Sequence, residues 1–194
     1  NLIEANPPLN IPKVKQTFVL SKMSTSDQWI KGRAGMWYRD LIPDRQGGFA
    51  VASHIRILDG GPVPDYVHYH KILFQMIYCY KGWARLVYED QGDPFVIEAG
   101  DCVLQPPQIR HQVLESSPGM EVIELTCPAD HQTCVDHEIK LPISSVNPER
   151  LFDGQHFVRH EAARAEWKPW RMEGFEARDI GIASATDGLA GVRV

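Results

Sequence analysis

The feature that most constrains this chain is a series of short apolar runs that begins near Gly47. The runs are rich in β-branched and aromatic residues and read FAVASHIRIL, VHYHKILFQMIYCY, GWARLVYED, PFVIEAGD, CVLQP, HQVLES and MEVIELTC. Turn-forming segments such as DGGP, KG, DQGD, AGD, PP and SPG separate them. Strands at this spacing predict an all-β fold, either an antiparallel sandwich or a barrel. The one helix-like stretch lies near His160–Trp167 and ends before Pro169.

The composition and charge narrow the function classes. The 194 residues are 43% hydrophobic and 23% charged, which is typical of a folded domain rather than a disordered chain. A net charge of -5 offers no basic surface for nucleic-acid phosphates. No apolar run approaches the roughly 20 residues of a membrane span, and no signal-peptide pattern opens the chain. We therefore expect a cytoplasmic protein without a nucleic-acid or membrane partner.

The four cysteines are too few for a disulfide scaffold. Cys79 and Cys102 lie in strand-like runs, where a buried free thiol is expected. Cys127 and Cys134 leave two alternatives open, a disulfide between them or a metal site shared with His131 and His137. Their spacing lacks the paired C-x-x-C of a zinc ribbon, so we expect reduced thiols.

The chain divides into three parts that differ in composition and sequence pattern. Residues 1–46 form a predicted N-terminal arm, which is rich in proline and contains one strand-like run around Val14–Val19. Residues 47–140 form the predicted barrel, and residues 141–194 form a C-terminal extension. Both flanks are rich in aromatic residues. This favours packing or a homodimer interface over a platform for stacking sugars.

A weak internal repeat relates the two flanks. The segment GMWYRDLIPDRQGGFAV, which begins at Gly35, is similar to GFEARDIGIASATDGLAG, which begins at Gly174. The match predicts that the C-terminal extension is the start of a second barrel.

A pair of histidines carries the strongest functional signal. His68 and His70 are two residues apart, so a strand places both side chains on one face, where they can bind one metal ion. Gln75 lies in the next run, and His111 begins another run after a Pro-Pro turn. Closure of a barrel can bring these four side chains together. Imidazole suits iron, nickel, copper or zinc, whereas an isolated His-x-His is as often a solvated sheet face.

Two further side chains are candidate catalytic groups at the rim of the site. Tyr66 shares the strand parity of the histidine pair, so its hydroxyl can reach the rim, and His54 lies on the preceding run. For both, the alternative is a half-buried side chain with a structural role only. His131 lies in a loop, where a solvated histidine is expected.

The spacing of these residues resembles the two motifs of the cupin superfamily. The matching positions are Gly61, His68-x-His70, Gln75 after four residues and Gly82 after six, then Gly100-Asp101, Pro106 and His111. The resemblance covers roughly residues 47–127. It implies a double-stranded β-helix, or jelly-roll, barrel with N- and C-terminal extensions, little helix and a metal in its mouth. Cupins also commonly dimerise through such arms.

Two positions depart from the cupin pattern. The motif usually has Glu where this chain has Gln75, and Gly where it has Gln108. The second change is expected to alter only a turn. The first replaces a carboxylate by a weaker, neutral ligand. Cysteine dioxygenases and β-diketone-cleaving dioxygenases are similar cupins that use three histidines and no carboxylate.

The resemblance thus implies a metal-dependent enzyme. His68, His70 and His111 would hold a divalent metal, with Gln75 as a fourth ligand or a nearby hydrogen-bond donor. Fe(II) is favoured, and Mn, Ni or Zn are alternatives. The expected activity is a non-haem dioxygenase acting on a small chelating substrate such as a diketone, an enol or a phenol. The alternatives are a cupin isomerase or decarboxylase, and a non-catalytic module that binds a sugar or metabolite.

Overall fold

The computed structural model of the protein describes residues 17–22 and 29–194. Fifteen strands form in these ranges. The first eight are β1 (Ile30–Lys31), β2 (Trp37–Asp40), β3 (Val51–Ile57), β4 (Gly61–Pro62), β5 (His68–Lys71), β6 (Phe74–Lys81), β7 (Trp83–Tyr88) and β8 (Phe95–Glu98). The others are β9 (Cys102–Leu104), β10 (His111–Ser116), β11 (Met120–Cys127), β12 (Gln132–Val135), β13 (Val158–His160), β14 (Lys168–Pro169) and β15 (Glu176–Ala177).

Two antiparallel sheets form the barrel. The larger sheet has the strand order β1-β2-β3-β11-β6-β9-β13, and the smaller has the order β12-β5-β10-β7-β8 with β4 paired to β10. Strands β14 and β15 form a separate hairpin. Every strand pair described is antiparallel. The predicted all-β class is therefore confirmed.

Apolar side chains that alternate inward from the two sheets form the core. In β3 the inward residues Ile55 and Ile57 are buried, as are Met120 and Val122 in β11. Full burial of such a side chain stabilises the fold by about 1.5–3 kcal/mol. The same inward alternation continues toward the histidine end of the barrel, where polar side chains take the inward positions.

The turn between β6 and β7 requires the motif glycine at position 82. Gly82 has a φ of +72°, in the left-handed region, and an added Cβ would lie 2.3 Å from the Ser117 Oγ atom. That hydroxyl also accepts a hydrogen bond of 3.0 Å from the Trp83 N–H. The positive φ of Gly82 and the close approach of Ser117 both explain why this position is a glycine.

The turn that precedes β10 keeps a left-handed conformation without a glycine. Gln108, which stands where the cupin motif has Gly, has a φ of +63° and an exposed side chain. Its N–H donates a 3.0 Å hydrogen bond to the His70 carbonyl, so the turn is hydrogen-bonded to strand β5. Gln108 therefore adopts the left-handed conformation of this turn at the strain cost of a non-glycine residue.

The segment before residue 47 contributes to the larger sheet. Strands β1 and β2 form a hairpin on β3, and Met36 and Tyr38 of this hairpin pack against the barrel core. The run predicted as a strand around Val14–Val19 lies partly outside the described residues, and residues 17–22 are not in a strand. The predicted division of the chain after residues 46 and 140 stays a prediction.

The C-terminal extension packs on the outer face of β6 and β9. Ile180, Ile182 and Ala185 are buried there. They contact an apolar group formed by Phe74, Met76, Cys102 and Leu104. Whether the extension begins a second barrel stays a prediction.

Helical structure is confined to single turns in the described residues. These turns are Arg33–Gly35, Arg45–Gly48, Ala162–Arg164 and Ile182–Ala185. The helix expected near His160–Trp167 is therefore shortened to one 3-10 turn between β13 and β14. No helix among the described residues is long and apolar enough to cross a membrane.

Candidate metal centre

Three histidines from two neighbouring strands meet inside the barrel. His68 and His70 project from the same face of β5, and β10 places His111 directly opposite His68 in the strand register. One ring nitrogen of each histidine lies within 4.8 Å of those of the other two, and all three residues are buried. The predicted gathering of His68, His70 and His111 is therefore observed.

Backbone carbonyls orient two of the three rings. The Nδ1 atom of His68 lies 2.7 Å from the Tyr66 carbonyl oxygen, and that of His111 lies 3.0 Å from the Ile109 carbonyl oxygen. A carbonyl can only accept, so each Nδ1 carries the hydrogen and each Nε2 keeps its lone pair. This tautomer is the one in which Nε2 can bind a metal.

The third ring is held by a hydroxyl. The Nδ1 atom of His70 lies 2.9 Å from Thr133 Oγ1 on β12, the strand that pairs with β5. Each of the three histidines thus uses Nδ1 for a positioning contact. Such outer contacts fix the ring orientation that a metal requires.

Burial keeps all three imidazoles neutral. Removal from water lowers the pKa of His111 well below its ordinary value, and neighbouring histidines lower it further. The pKa of His70 falls to about 2 for the same reasons, burial first and then the nearby His68. Burial also lowers the pKa of His68, with the Arg33 cation as the next cause. Since metals bind the neutral ring, the three histidines fit a divalent ion.

Gln75 enters the same region through a chain of hydrogen bonds. Its Oε1 accepts a 2.9 Å hydrogen bond from Gln105 Nε2, which also lies 3.3 Å from His111 Nε2. The Tyr88 hydroxyl donates to Gln105 Oε1, and the Tyr88 ring stacks on His111 at 5.4 Å. The Nε2 atom of Gln75 is buried, with the Glu124 carboxyl as its neighbour. A ligand role for Gln75 stays a prediction.

A carboxyl group that the sequence reasoning missed lines the same cavity. Glu124 lies on β11 and faces the Gln75 side chain. Burial raises the pKa of Glu124 to about 7, while the Arg33 cation opposes the rise. The signal was present in the sequence, because Glu124 shares the strand parity of Met120 and Val122, which are core positions.

A second missed residue reaches the histidines from outside the predicted barrel. Arg33 follows β1, and its Nη1 atom lies 2.6 Å from Asp65 Oδ1. Its Nη2 atom lies 2.5 Å from the His68 Nε2 atom. No periodicity in the N-terminal segment indicates this approach, because a hairpin turn far from the motifs delivers the side chain.

The cavity that contains these groups is small and mainly apolar. Its volume is about 70 Å³, enough for a few water molecules or a small ligand. The polar lining is Arg33, His68, His70, Gln105, His111, Tyr38 and Glu124, and the remaining lining side chains are aliphatic or Met. A site of this kind excludes bulk water around the histidines.

The two predicted catalytic residues lie away from the three histidines. The Tyr66 side chain is exposed and its ring packs at 5.5 Å on His137, so Tyr66 serves the site through its carbonyl. His54 is buried on the outer face of β3, with Nε2 at 2.7 Å from Glu121 Oε2. Neither lines the cavity. Catalytic roles for Tyr66 and His54 stay predictions.

The structure decides between the two alternatives for Cys127 and Cys134. All four cysteines are free, so Cys127 and Cys134 form no disulfide. Among the described residues, the three histidines are the one group of three or more candidate ligands that lie close enough to share an ion. His131 belongs to no such group, although its ring lies 5.5 Å from that of His70.

Comparisons with known proteins agree with the architecture. The sequence matches no protein-family model and no curated protein. A mutant of Bacillus subtilis oxalate decarboxylase is similar in structure over 91% of this chain and 57% of its own, with 13% identity and a TM-score of 0.57. A deletion mutant of the same decarboxylase shares 16% identity over 64% of this chain, with a TM-score of 0.47. This chain covers only 34% of that mutant's length.

Another solved structure is similar as well. The similarity to an RmlC-like cupin from Shewanella frigidimarina extends over 96% of that chain and 60% of this one, with 23% identity and a TM-score of 0.47. The chain therefore has the cupin fold, a jelly-roll barrel, with three histidines inside.

Proposed function

We propose that the chain is a metal-dependent cupin enzyme. The observation that carries this proposal is the set of three neutral histidines whose Nδ1 atoms contact oxygen atoms and whose ring nitrogens lie within 4.8 Å of one another, close enough to share one ion. A divalent metal bound there supplies Lewis-acid or redox chemistry to a substrate. The chain itself supplies ligands, orientation and a cavity that excludes water.

The proposed reaction is a dioxygenation with Fe(II), and Mn, Ni and Zn are the other candidate ions. Three histidines without a carboxylate among them leave room for a small chelating substrate such as a diketone, an enol or a phenol. The aliphatic wall of the cavity suits the carbon skeleton of such a substrate and keeps water from competing with it.

Glu124 favours a second candidate, an isomerase or a decarboxylase. Both reactions move a proton to or from carbon, and Glu124 is the carboxyl group that lines this cavity. Its position beside Gln75, in the water-poor interior, suits an acid or base that acts on a bound substrate. Oxygenation of an enol or a phenol needs no proton transfer at carbon, so it depends less on this group.

Oxygen consumption separates the two candidates. The protein is loaded with Fe(II) under nitrogen and mixed with oxygenated buffer containing acetylacetone, catechol or a β-keto acid. Substrate-dependent oxygen uptake supports the dioxygenase, whereas carbon dioxide release from the β-keto acid without oxygen uptake supports the decarboxylase. The Glu124→Gln variant should lose the second activity and keep the first. A wild-type protein that binds metal but turns over none of these compounds would contradict this choice of substrates.

We also propose a homodimer. Aromatic side chains around the β14–β15 hairpin are exposed, among them Trp167, Trp170 and Phe175. Exposed aromatic groups close together are common at protein interfaces. Light scattering during gel filtration tests the proposal: about 44 kDa is expected, twice the 22.0 kDa of one chain, and a 22.0 kDa peak at all concentrations would contradict it.

A further inference from the structure

Arg33 enters the site from a hairpin that precedes the barrel. It opens the turn Arg33–Gly35 between β1 and β2, in which Ala34 and Gly35 have φ values of +51° and +74°. This tight turn directs the arginine side chain across to β5, where it meets His68. The side chain remains 41% exposed, so one side of the guanidinium is open at the mouth of the barrel.

Asp65 anchors one end of the guanidinium. The Asp65 side chain is 1% exposed, and its Oδ1 lies 2.6 Å from Arg33 Nη1. The other oxygen, Oδ2, accepts a 3.0 Å hydrogen bond from the Val113 N–H. A buried carboxylate with two such partners is expensive to leave unpaired. We therefore expect the Asp65 contact to persist when the rest of the site changes.

The other end of the guanidinium uses the atom that a metal needs. Arg33 Nη2 lies 2.5 Å from His68 Nε2, and the Nδ1 atom of this ring already faces the Tyr66 carbonyl. A neutral imidazole has one lone pair available, so His68 cannot hold a metal and accept from Arg33 together. When His68 binds a metal, Arg33 Nη2 loses its acceptor while Nη1 stays on Asp65.

The surroundings indicate which acceptor replaces the histidine. Arg33 is the one Lys or Arg side chain that lines the cavity in the described part of the chain. Beyond it the wall is aliphatic, with residues such as Ile55, Ile77 and Leu86. A guanidinium next to a divalent ion favours an anion, and its planar donors match a carboxylate.

We infer that Arg33 exchanges His68 for the carboxylate of a small organic acid when the histidines bind a metal. Arg33 is thus a specificity-determining residue, and the ligand has an acidic head and a short apolar remainder. This inference rests on the proposed metal function. It differs from that function in assigning the substrate class to a residue of the N-terminal hairpin.

The test compares the Zn²⁺ affinity and the propanoate affinity of the wild type with those of the Arg33→Met variant. Zn²⁺ binding is measured by competition with a chelating dye, and propanoate binding to the Zn²⁺-loaded protein is measured by calorimetry, with neutral propanamide as the comparison ligand. Arg33→Met should bind Zn²⁺ about tenfold more tightly, because a competitor for His68 is removed. It should bind propanoate about tenfold more weakly, since a charge-assisted hydrogen bond is lost. A purely structural role would lower both affinities.

Two further variants complete the design. Arg33→Lys keeps the charge without the forked donors and should show the same opposite shifts at smaller size, which covers the case of a poorly folded Arg33→Met. Arg45→Met removes an exposed arginine that pairs with Asp40 at 3.0 Å and should change neither affinity.

The outcomes separate the inference from the function on which it rests. Equal propanoate affinity in the wild type and Arg33→Met, or weaker Zn²⁺ binding in both Arg33 variants, would overturn the exchange while the metal site stands. A wild type that binds no Zn²⁺ would overturn the metal site, and the exchange with it.

Discussion

Gln75 on β6 faces the Glu124 carboxyl on β11, because the register pairs Ile77 directly with Glu124 and brings Gln75 one inward position away. The cupin motif usually has a glutamate at position 75. In this protein the cavity keeps a carboxyl group, but on the neighbouring strand. The pairing of these two residues therefore determines how the site responds to changes at either of them.

Replacement of Gln75 by Glu tests this pairing. Gln75→Glu places a second carboxyl group beside Glu124, so the protein without metal should be less stable because two like charges lie close together. Metal binding should become tighter, since a carboxylate is a stronger ligand than an amide. Thermal unfolding with EDTA and with Mn²⁺ measures the two effects.

The double variant Gln75→Glu/Glu124→Gln is the matched control, because it moves the carboxyl group back to the motif position without adding one. It should recover most of the stability lost in the single variant. A sharp fall in metal affinity in Gln75→Glu would show that position 75 does not reach the metal.

Two glycines in neighbouring turns should respond differently to alanine. Both have positive φ values, +72° at Gly82 and +66° at Gly119, but only Gly82 has a close neighbour, Ser117 Oγ at 2.3 Å from the added Cβ. We expect Gly119→Ala to lower the free energy of unfolding by about 1 kcal/mol and Gly82→Ala by about 2–4 kcal/mol. Urea denaturation measures both, and equal losses would argue against the close approach at position 82.

The left-handed turn at Gln108 offers a stabilising substitution. Gln108→Gly removes the strain of a φ of +63° in a side-chain-bearing residue and should raise the free energy of unfolding by about 0.5–1 kcal/mol. Gln108→Ala is the control, because it removes the exposed side chain but keeps the Cβ atom. If alanine stabilised as much as glycine, the backbone angle would not be the cause.

The buried thiols should resist alkylation at neutral pH. Burial raises the pKa of Cys79 and of Cys102 to about 12, each from 9.0, so the reactive thiolate is about a thousandfold rarer at pH 8. The native protein should react with iodoacetamide at Cys127 and Cys134 and leave the other two unmodified until urea is added. Peptide mass spectrometry reads each site. Modification of Cys79 as fast as Cys134 would contradict its burial.

The same thiols predict how stability varies at alkaline pH. Their pKa values in the fold lie above the ordinary value, so the folded protein disfavours ionisation of Cys79 and Cys102. The free energy of unfolding should therefore fall as the pH rises from 9 toward 12. The substitution Cys79→Ala should reduce that slope, and an unchanged slope would assign it to other groups.

The fold and the histidines were predictable because both depend on alternation within strands. A period of two fixes the face of His68 and His70, and the motif spacing brings His111 opposite them. Glu124 follows the same rule and was recognisable as an inward acidic residue in an apolar strand. For these residues, the alternation within each strand and the pairing of strands in the barrel together determine where the side chain lies.

Arg33 was not predictable for a different physical reason. Its approach to His68 depends on one hairpin turn and on how β2 docks against β3, over 35 residues of chain. Nothing periodic in that segment encodes the direction of the side chain. The same alternation rule predicts that the Tyr66 hydroxyl reaches the rim of the site. The ring is exposed instead, and the Tyr66 carbonyl contacts His68, because strand β5 begins only at residue 68.

The most direct test of the metal centre is the metal content of the protein purified without chelators. Elemental analysis should find close to one divalent ion per chain in the wild type and in His137→Ala, which changes an exposed histidine outside the cavity. The His70→Ala/His111→Ala double variant, verified as folded by circular dichroism, should contain none. Equal metal content in the double variant and the wild type, or no metal in either after growth with added iron and manganese, would contradict the account.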